Sequence, residues 1–189
     1  MAYFPVSLQL SGKKILLVGA GNIAYKKLSH LLEFSDNIFI VASKINLQIK
    51  QLIEQKQLSF AQRKYKDNEI QDYDIVVVAV DNLSLQKKIY EEAQHLRCLC
   101  NCVDSLEYCD FIFPAYIKKD KLTIAISTSG ASPSFAKHFK EYLCKLIPDD
   151  VGTFLDEMQK LRKELPKGKQ RMQMFDTKVK TYLKTWRTT

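Results

Sequence analysis

The stretch KILLVGAGNIA, residues 14–24, decides the fold. Its first five residues form a short apolar run that ends on Gly19-Ala20-Gly21, the pattern of a strand buried on both faces. Residues 22–34 follow with helical spacing that places Ile23, Leu28, Leu31 and Leu32 on one side. A glycine pair between a buried strand and an amphipathic helix is the arrangement G-x-G-x-x-A, here Gly19, Gly21 and Ala24. Each position has a physical task. Gly19 allows the tight strand-to-helix turn, Gly21 lets a pyrophosphate approach the backbone, and Ala24 permits close helix–strand packing. The N–H groups that open the helix then face the phosphates.

Outward from this unit the alternation continues. Residues 37–41 (NIFIV) read as a second strand, and residues 45–55 as a helix with Ile45, Ile49, Leu52 and Ile53 in a stripe. Residues 57–61 read as a short, weaker strand. Residues 74–80 (DIVVVAV) are the strongest strand in the chain. Residues 84–96 are helical, with Leu85, Ile89 and Ala93 inward, and residues 98–103 form another strand. The order β-α-β-α-β-β-α-β predicts an α/β, Rossmann-like parallel sheet with helices on both faces. Beyond residue 104 the pattern changes. Residues 111–116 and 121–127 read as a hairpin joined by the charged connection 117–121. Ser132 is an N-cap and Pro133 a first helical residue for a helix over 134–146. After Pro148-Asp149-Asp150, residues 151–165 and 170–186 read as two more helices. Three parts follow: a nucleotide-binding domain over 1–113, a small hairpin-helix domain over 114–147, and a helical C-terminal domain over 148–189. A hairpin of this size is marginal alone, so the middle part is expected to pack on another subunit.

Several residues can carry chemistry. The acid that usually holds the adenosine ribose at the end of the second strand is missing; Val41-Ala42-Ser43-Lys44 stands there. Ser43 and the backbone around Lys44 are the remaining ribose contacts, and Lys44 also suits a 2′-phosphate. Asp104 directly follows the strand over 98–103. Ligands of parallel sheets bind beyond the carboxyl ends of the strands, so Asp104 is either a general base or a turn residue. Asp81 has the same type of position. Cys98, Cys100 and Cys102 alternate onto one strand face about 6–7 Å apart. Tetrahedral thiolate sites use turns with wider spacing, so they read as buried filler rather than metal ligands. His30, His95 and His138 are isolated. The hydroxyl-rich loop 127–133 leads into a helix and is either an anion site or an ordinary capped entry.

The bulk composition narrows the class. The chain has 189 residues, 46% hydrophobic and 26% charged, as an ordinary globular protein does. No apolar run reaches the roughly 18 residues of a membrane span. Residues 1–9 lack the features of a signal peptide, and five cysteines, an odd number, argue against a disulfide framework. These features predict a cytoplasmic protein. The net charge is +8, and residues 151–189 hold ten Lys/Arg against four Asp/Glu. A basic surface favours anionic partners: nucleic acid, acidic lipid and a polycarboxylate substrate all qualify. The chain has no recognised nucleic-acid reader motif.

Taken together, four stretches resemble a known family. Phe4-Pro5-Val6 precedes the glycine loop, Asn101-Cys-Val-Asp104 ends the later strand, Phe111-Ile-Phe-Pro-Ala115 opens the hairpin, and Ile126-Ser-Thr-Ser-Gly-Ala-Ser-Pro133 leads into the next helix. This combination is similar to the precorrin-2 dehydrogenase/sirohydrochlorin ferrochelatase family of siroheme synthesis, and to the N-terminal half of the fused siroheme synthases. The resemblance implies oxidation of precorrin-2 to sirohydrochlorin with NAD⁺, followed in bifunctional members by Fe²⁺ insertion. It implies Asp104 as the essential aspartate and Asn22, Ile23, Ser43 and Lys44 as NAD contacts beside Gly19 and Gly21. It implies a homodimer whose small central domains interlock; no resident metal is expected. The tetrapyrrole is rimmed with carboxylates, which suits a basic protein. Neither nucleic acid nor membrane is an expected partner. Some members carry serine where Thr128 stands, and some perform only the oxidation. The alternative is a non-catalytic NAD- or tetrapyrrole-binding protein of the same fold.

Overall fold

Ile15–Val18 (β1), Ile38–Val41 (β2) and Ile75–Val78 (β4) are apolar four-residue strands that pair side by side. Every residue of β1 and β4 is buried, as is required of strands covered on both faces. Ser59–Ala61 (β3) and Leu99–Cys102 (β5) complete a parallel sheet of order β3-β2-β1-β4-β5. Ile15 is level with both Ile38 and Ile75, and Val18 with both Val41 and Val78. The short β3 is an edge strand with two exposed residues, which accounts for its weak pattern. The strand order reverses at β1, so the crevice of the doubly wound fold opens between the carboxyl ends of β1 and β4.

The computed structural model describes residues 3–186. Met1 and Ala2 of the N-terminal stretch, and residues 187–189 of the basic tail, lie outside the described residues. The described residues fall into two compact units that divide after Ile112.

In the first unit, Asn22–Leu31 (α1), Leu47–Lys56 (α2) and Leu83–Leu96 (α3) link the strands. The buried stripe of α1 is Ala24, Leu28 and Leu31; Ile23 instead is 46% exposed. The buried stripe of α3 is Gln86, Ile89 and Ala93, so a glutamine takes the place expected of Leu85. Cys98, Cys100 and Cys102 are buried in the same apolar cluster as Val76, Val78 and Ile89, and Cys100 Sγ lies 3.8 Å from Cys102 Sγ. Burial pushes the Cys98 thiol up to about 12. The Cys102 contact, with burial, drives Cys100 further in the same direction, so both stay inert thiols.

The second unit holds the hairpin Ala115–Lys119 (β6) and Leu122–Ile126 (β7), then Pro133–Leu146 (α4), Val151–Glu164 (α5) and Lys169–Thr185 (α6). The first hairpin strand starts four residues later than the sequence pattern suggests. Residues 109–111 are used elsewhere: Asn101 bridges to Cys109, and Asn101 Nδ2 donates to Phe111 O at 2.8 Å. The charged segment 117–121 is not a loop. Ile117 pairs with Ile124, Lys118 points outward, and Lys119 donates to Ile147 O and Asp149 Oδ1, both at 2.8 Å. The turn shrinks to Asp120-Lys121, with Asp120 in the left-handed region at φ 50°. Ile117, Ile147 and Val151 form a small core, against which Leu122, Leu155, Tyr182 and Trp186 pack. The tail aromatics are thereby committed to packing: Tyr182 stacks on Phe154 at 3.9 Å and meets Trp186 edge-on.

Candidate dinucleotide site and the Asp104 crevice

Gly19 is the point where the chain leaves β1, at φ 105°. Its N–H donates to Val41 O and the Ala79 N–H donates to Val18 O, both at 2.8 Å, so the ends of β1, β2 and β4 are tied together below the loop. A Cβ at Gly19 would lie 2.3 Å from Ala79 O, so no side chain fits. Gly21 differs. Its backbone is extended (φ −89°), and a Cβ there would meet nothing within 4 Å. That open space lies directly before α1. The helices α2 and α3 begin with Asn46 and Asn82, whose side chains accept from Ile49 N and Leu85 N. Helix α1 begins at Gly21 with no side-chain cap, which leaves its first N–H groups for a ligand.

Two cavities meet at this loop. The first, about 900 Å³, is lined by Gly19, Gly21, Ser43 and Lys44. The second, about 660 Å³, is lined by Asn22, Ile23, Gln86 and Asp104. Both include Gly21, Ala79, Val80 and Asp81, so they form one crevice divided by the glycine loop. The residues singled out in the sequence thus distribute over its two halves. Ser43 stands where a ribose-binding acid would, and the exposed Ile23 is explained by its place in the second cavity. Asp81 lines both halves.

Other lining residues are not singled out by the linear pattern. Asn46 joins two loops: its N–H donates to Ala20 O at 3.1 Å and its Nδ2 to Asn22 Oδ1 at 3.2 Å. Its cap-type residue between a strand and a helix is the available clue. Arg63 and Lys64 follow β3, which becomes adjacent to Ser43 only once β3 is known to flank β2. Arg63 is gripped by Glu69, which accepts from both guanidinium arms and from Lys66 N. Those bonds hold the Glu69 carboxyl below the usual glutamate range, against a smaller opposing effect of burial. Lys88, also on the first cavity, pairs with Asp67 at 2.6 Å.

Asp104 sits beyond β5 with φ 65°, a conformation that non-glycine residues adopt rarely and at a cost of about 1–3 kcal/mol. Its side chain is exposed and lines the second cavity. Lys27 lies one turn along α1 from Ile23. Burial lowers its ammonium, and the charge of Asp104 partly counters that effect. An anionic carboxylate beside a crevice that can hold a dinucleotide is able to take a proton from a molecule bound there. His138 belongs to the second unit; on α4 its Nδ1 lies 3.2 Å from Glu141 Oε2. The loop before α4 is an internally bonded helix entry, with Ser132 N donating to Thr128 Oγ1 and Phe135 N to Ser132 Oγ, each at 3.1 Å.

Residues 6–115 match a family described as putative NAD(P)-binding. The siroheme synthase of Mannheimia succiniciproducens is 33% identical over 162 residues, which cover 86% of this chain and 34% of that protein. The siroheme synthase of Actinobacillus succinogenes is 31% identical over 185 residues, 98% of this chain and 36% of that protein. The chain therefore spans about a third of the length of these relatives. Among solved structures, the precorrin-2 dehydrogenase SirC superposes with a TM-score of 0.77 at 27% identity, covering 94% of this chain and 89% of that one.

Proposed function

The chain belongs to the NAD(P)-binding family of the siroheme synthases and the precorrin-2 dehydrogenase SirC, and from that membership we propose that it oxidises precorrin-2 to sirohydrochlorin with NAD⁺. The observation that carries this reading is the single crevice. It joins an uncapped α1 N-terminus and an open Gly21 to an exposed carboxylate, Asp104.

The residues present fit a dinucleotide. Gly21 and the first N–H groups of α1 would hold the pyrophosphate. Ser43 and the backbone at Lys44 would hold the adenosine ribose, and Asn22 and Ile23 would border the nicotinamide half. The cofactor supplies a carbon that accepts a hydride. The chain's own work is positioning. Asp104 accepts the proton that the substrate loses as the hydride leaves with its bonding pair. The net charge of +8 favours capture of a carboxylate-rimmed tetrapyrrole. The same carboxylate can take pyrrole N–H protons if Fe²⁺ is the second substrate. The five free cysteines suit a reducing compartment such as the cytoplasm.

The reading includes a homodimer in which residues 114–147 form the dimerisation domain. Support comes from α4, which exposes Phe135, Phe139, Tyr142 and Leu146; Phe135 and Phe139 stack at 5.5 Å. An apolar stripe of this kind marks an interaction surface. A monomeric mass in solution at micromolar concentration would contradict this part.

The assignment of Asp104 is tested by Asp104→Ala. NADH formation from precorrin-2 is expected to fall by about 100-fold or more, with NAD⁺ affinity retained. Full activity in that variant would end the assignment.

A further inference from the structure

We propose that Gln86 is a positioning residue for Asp104, an inference that rests on the reading of Asp104 as the proton acceptor. Gln86 and Asn101 are the buried polar side chains among the described residues. Position 86 lies on the apolar stripe of α3, where a leucine or methionine would supply packing without the cost of burying an amide. Its hydrogen bonds show what the amide does there. Gln86 Nε2 donates to Val80 O at 2.8 Å and to Val103 O at 3.4 Å, while Gln86 Oε1 accepts from the Ser105 hydroxyl. Two carbonyl partners require the nitrogen and the remaining hydroxyl satisfies the oxygen, so the orientation of the amide is fixed by its network.

The partners are not arbitrary. Val103 and Ser105 are the residues on either side of Asp104, and Val80 lies two residues beyond β4 in the lining of the same cavity. Gln86 therefore bridges the segment that follows β4 to both flanks of a residue held at φ 65°. A non-glycine residue in that region keeps its conformation only where its surroundings over-determine it. A second grip comes from Cys109, whose Sγ approaches Cys102 O at 3.1 Å and Ser105 O at 3.3 Å. The turn is thus clamped from two sides while the Asp104 carboxylate stays exposed to the cavity. Gln86 itself lines that cavity. Its role is to set where the carboxylate sits relative to substrate.

The test compares Gln86→Leu, Ser105→Ala and Ser105→Thr with the parent and with Asp104→Ala. Turnover of precorrin-2 with NAD⁺ is measured alongside NAD⁺ affinity by titration. Displacing a catalytic group by about 1 Å can cost as much as 100-fold, so Gln86→Leu is expected to lose about tenfold or more in kcat. Ser105→Ala should lose less, Ser105→Thr should restore the parent rate, and NAD⁺ affinity should stay within about threefold throughout. If Gln86→Leu does not fold, the serine pair decides the matter. Parent-like kcat in Ser105→Ala and in any folded Gln86→Leu, with Asp104→Ala inactive, would overturn the positioning role alone. A loss of NAD⁺ affinity in step with kcat would overturn it too. Full activity in Asp104→Ala would remove the reading beneath it and the inference with it.

Discussion

Gly19 and Ala79 lie so close that a Cβ on the glycine would come within 2.3 Å of the Ala79 carbonyl oxygen. The obstacle is backbone, not a side-chain tip, and Gly19 also holds φ 105°. Gly19→Ala is therefore expected to destabilise the first unit by about 3 kcal/mol or more, from overpacking and backbone strain together. Urea unfolding of the variant checks this. A midpoint equal to the parent's would show that the β1–β4 crevice relaxes more easily than its hydrogen bonds suggest.

Gly21 gives the opposite expectation. A Cβ there meets nothing within 4 Å, and its φ of −89° suits any residue. Gly21→Ala should fold within about 0.5 kcal/mol of the parent, since no strain or contact is changed. Its dinucleotide affinity should fall about tenfold or more, because the new methyl occupies the space where a pyrophosphate approaches the backbone. Calorimetric titration with NAD⁺ and NADP⁺ measures this. Unchanged affinity would place the pyrophosphate elsewhere.

In the second unit, the Asp120 carboxylate of the hairpin turn lies over Gly152 in the first turn of α5, where an added Cβ would stand 1.8 Å from Oδ2. Alanine is the better helix former by about 1 kcal/mol, yet Gly152→Ala should destabilise by about 1 kcal/mol as the carboxylate is pushed from the helix N-terminus. In an Asp120→Ala background the same substitution should become neutral or stabilising. Thermal unfolding of the four proteins reads the coupling directly.

The Arg63–Glu69 pair makes stability depend on pH. The bonds from Arg63 lower the folded-state value of Glu69, with burial opposing. The stabilisation is thus present above the ordinary glutamate value of 4.5 and is lost as pH falls through the lowered folded-state value. Glu69→Gln should cost about 1–2 kcal/mol at neutral pH, and the gap from the parent should close under acid conditions. A gap that stays constant down to strongly acid pH would mean the pair contributes nothing through ionisation.

Much of the first unit was legible because its strands are buried on both faces. The runs ILLV and IVVV cannot belong elsewhere, and the glycines between β1 and α1 locate the crevice. The candidate site was legible where the chain leaves a strand, as at Ser43 and Asp104, while Asn22 and Ile23 were implied by the family resemblance. Residues that join it through the strand order were not, and Arg63 and Lys64 are of this kind. Gln86 was hidden for another reason. A glutamine beside Leu85 on an amphipathic helix reads as surface, and only the carbonyls of Val80 and Val103 explain its burial. The hairpin was displaced because Phe111, read as its first residue, instead follows a segment that runs back along β5.

The central claim is hydride removal from precorrin-2 within the Asp104 crevice. Its most direct test is anaerobic incubation of the purified protein with precorrin-2 and NAD⁺, with NADH and sirohydrochlorin followed together by absorbance, and Fe²⁺ added in a second stage. The account predicts sirohydrochlorin and NADH rising in step, and only when NAD⁺ is present. Binding of both compounds without formation of either product would contradict it and leave a non-catalytic protein of this fold.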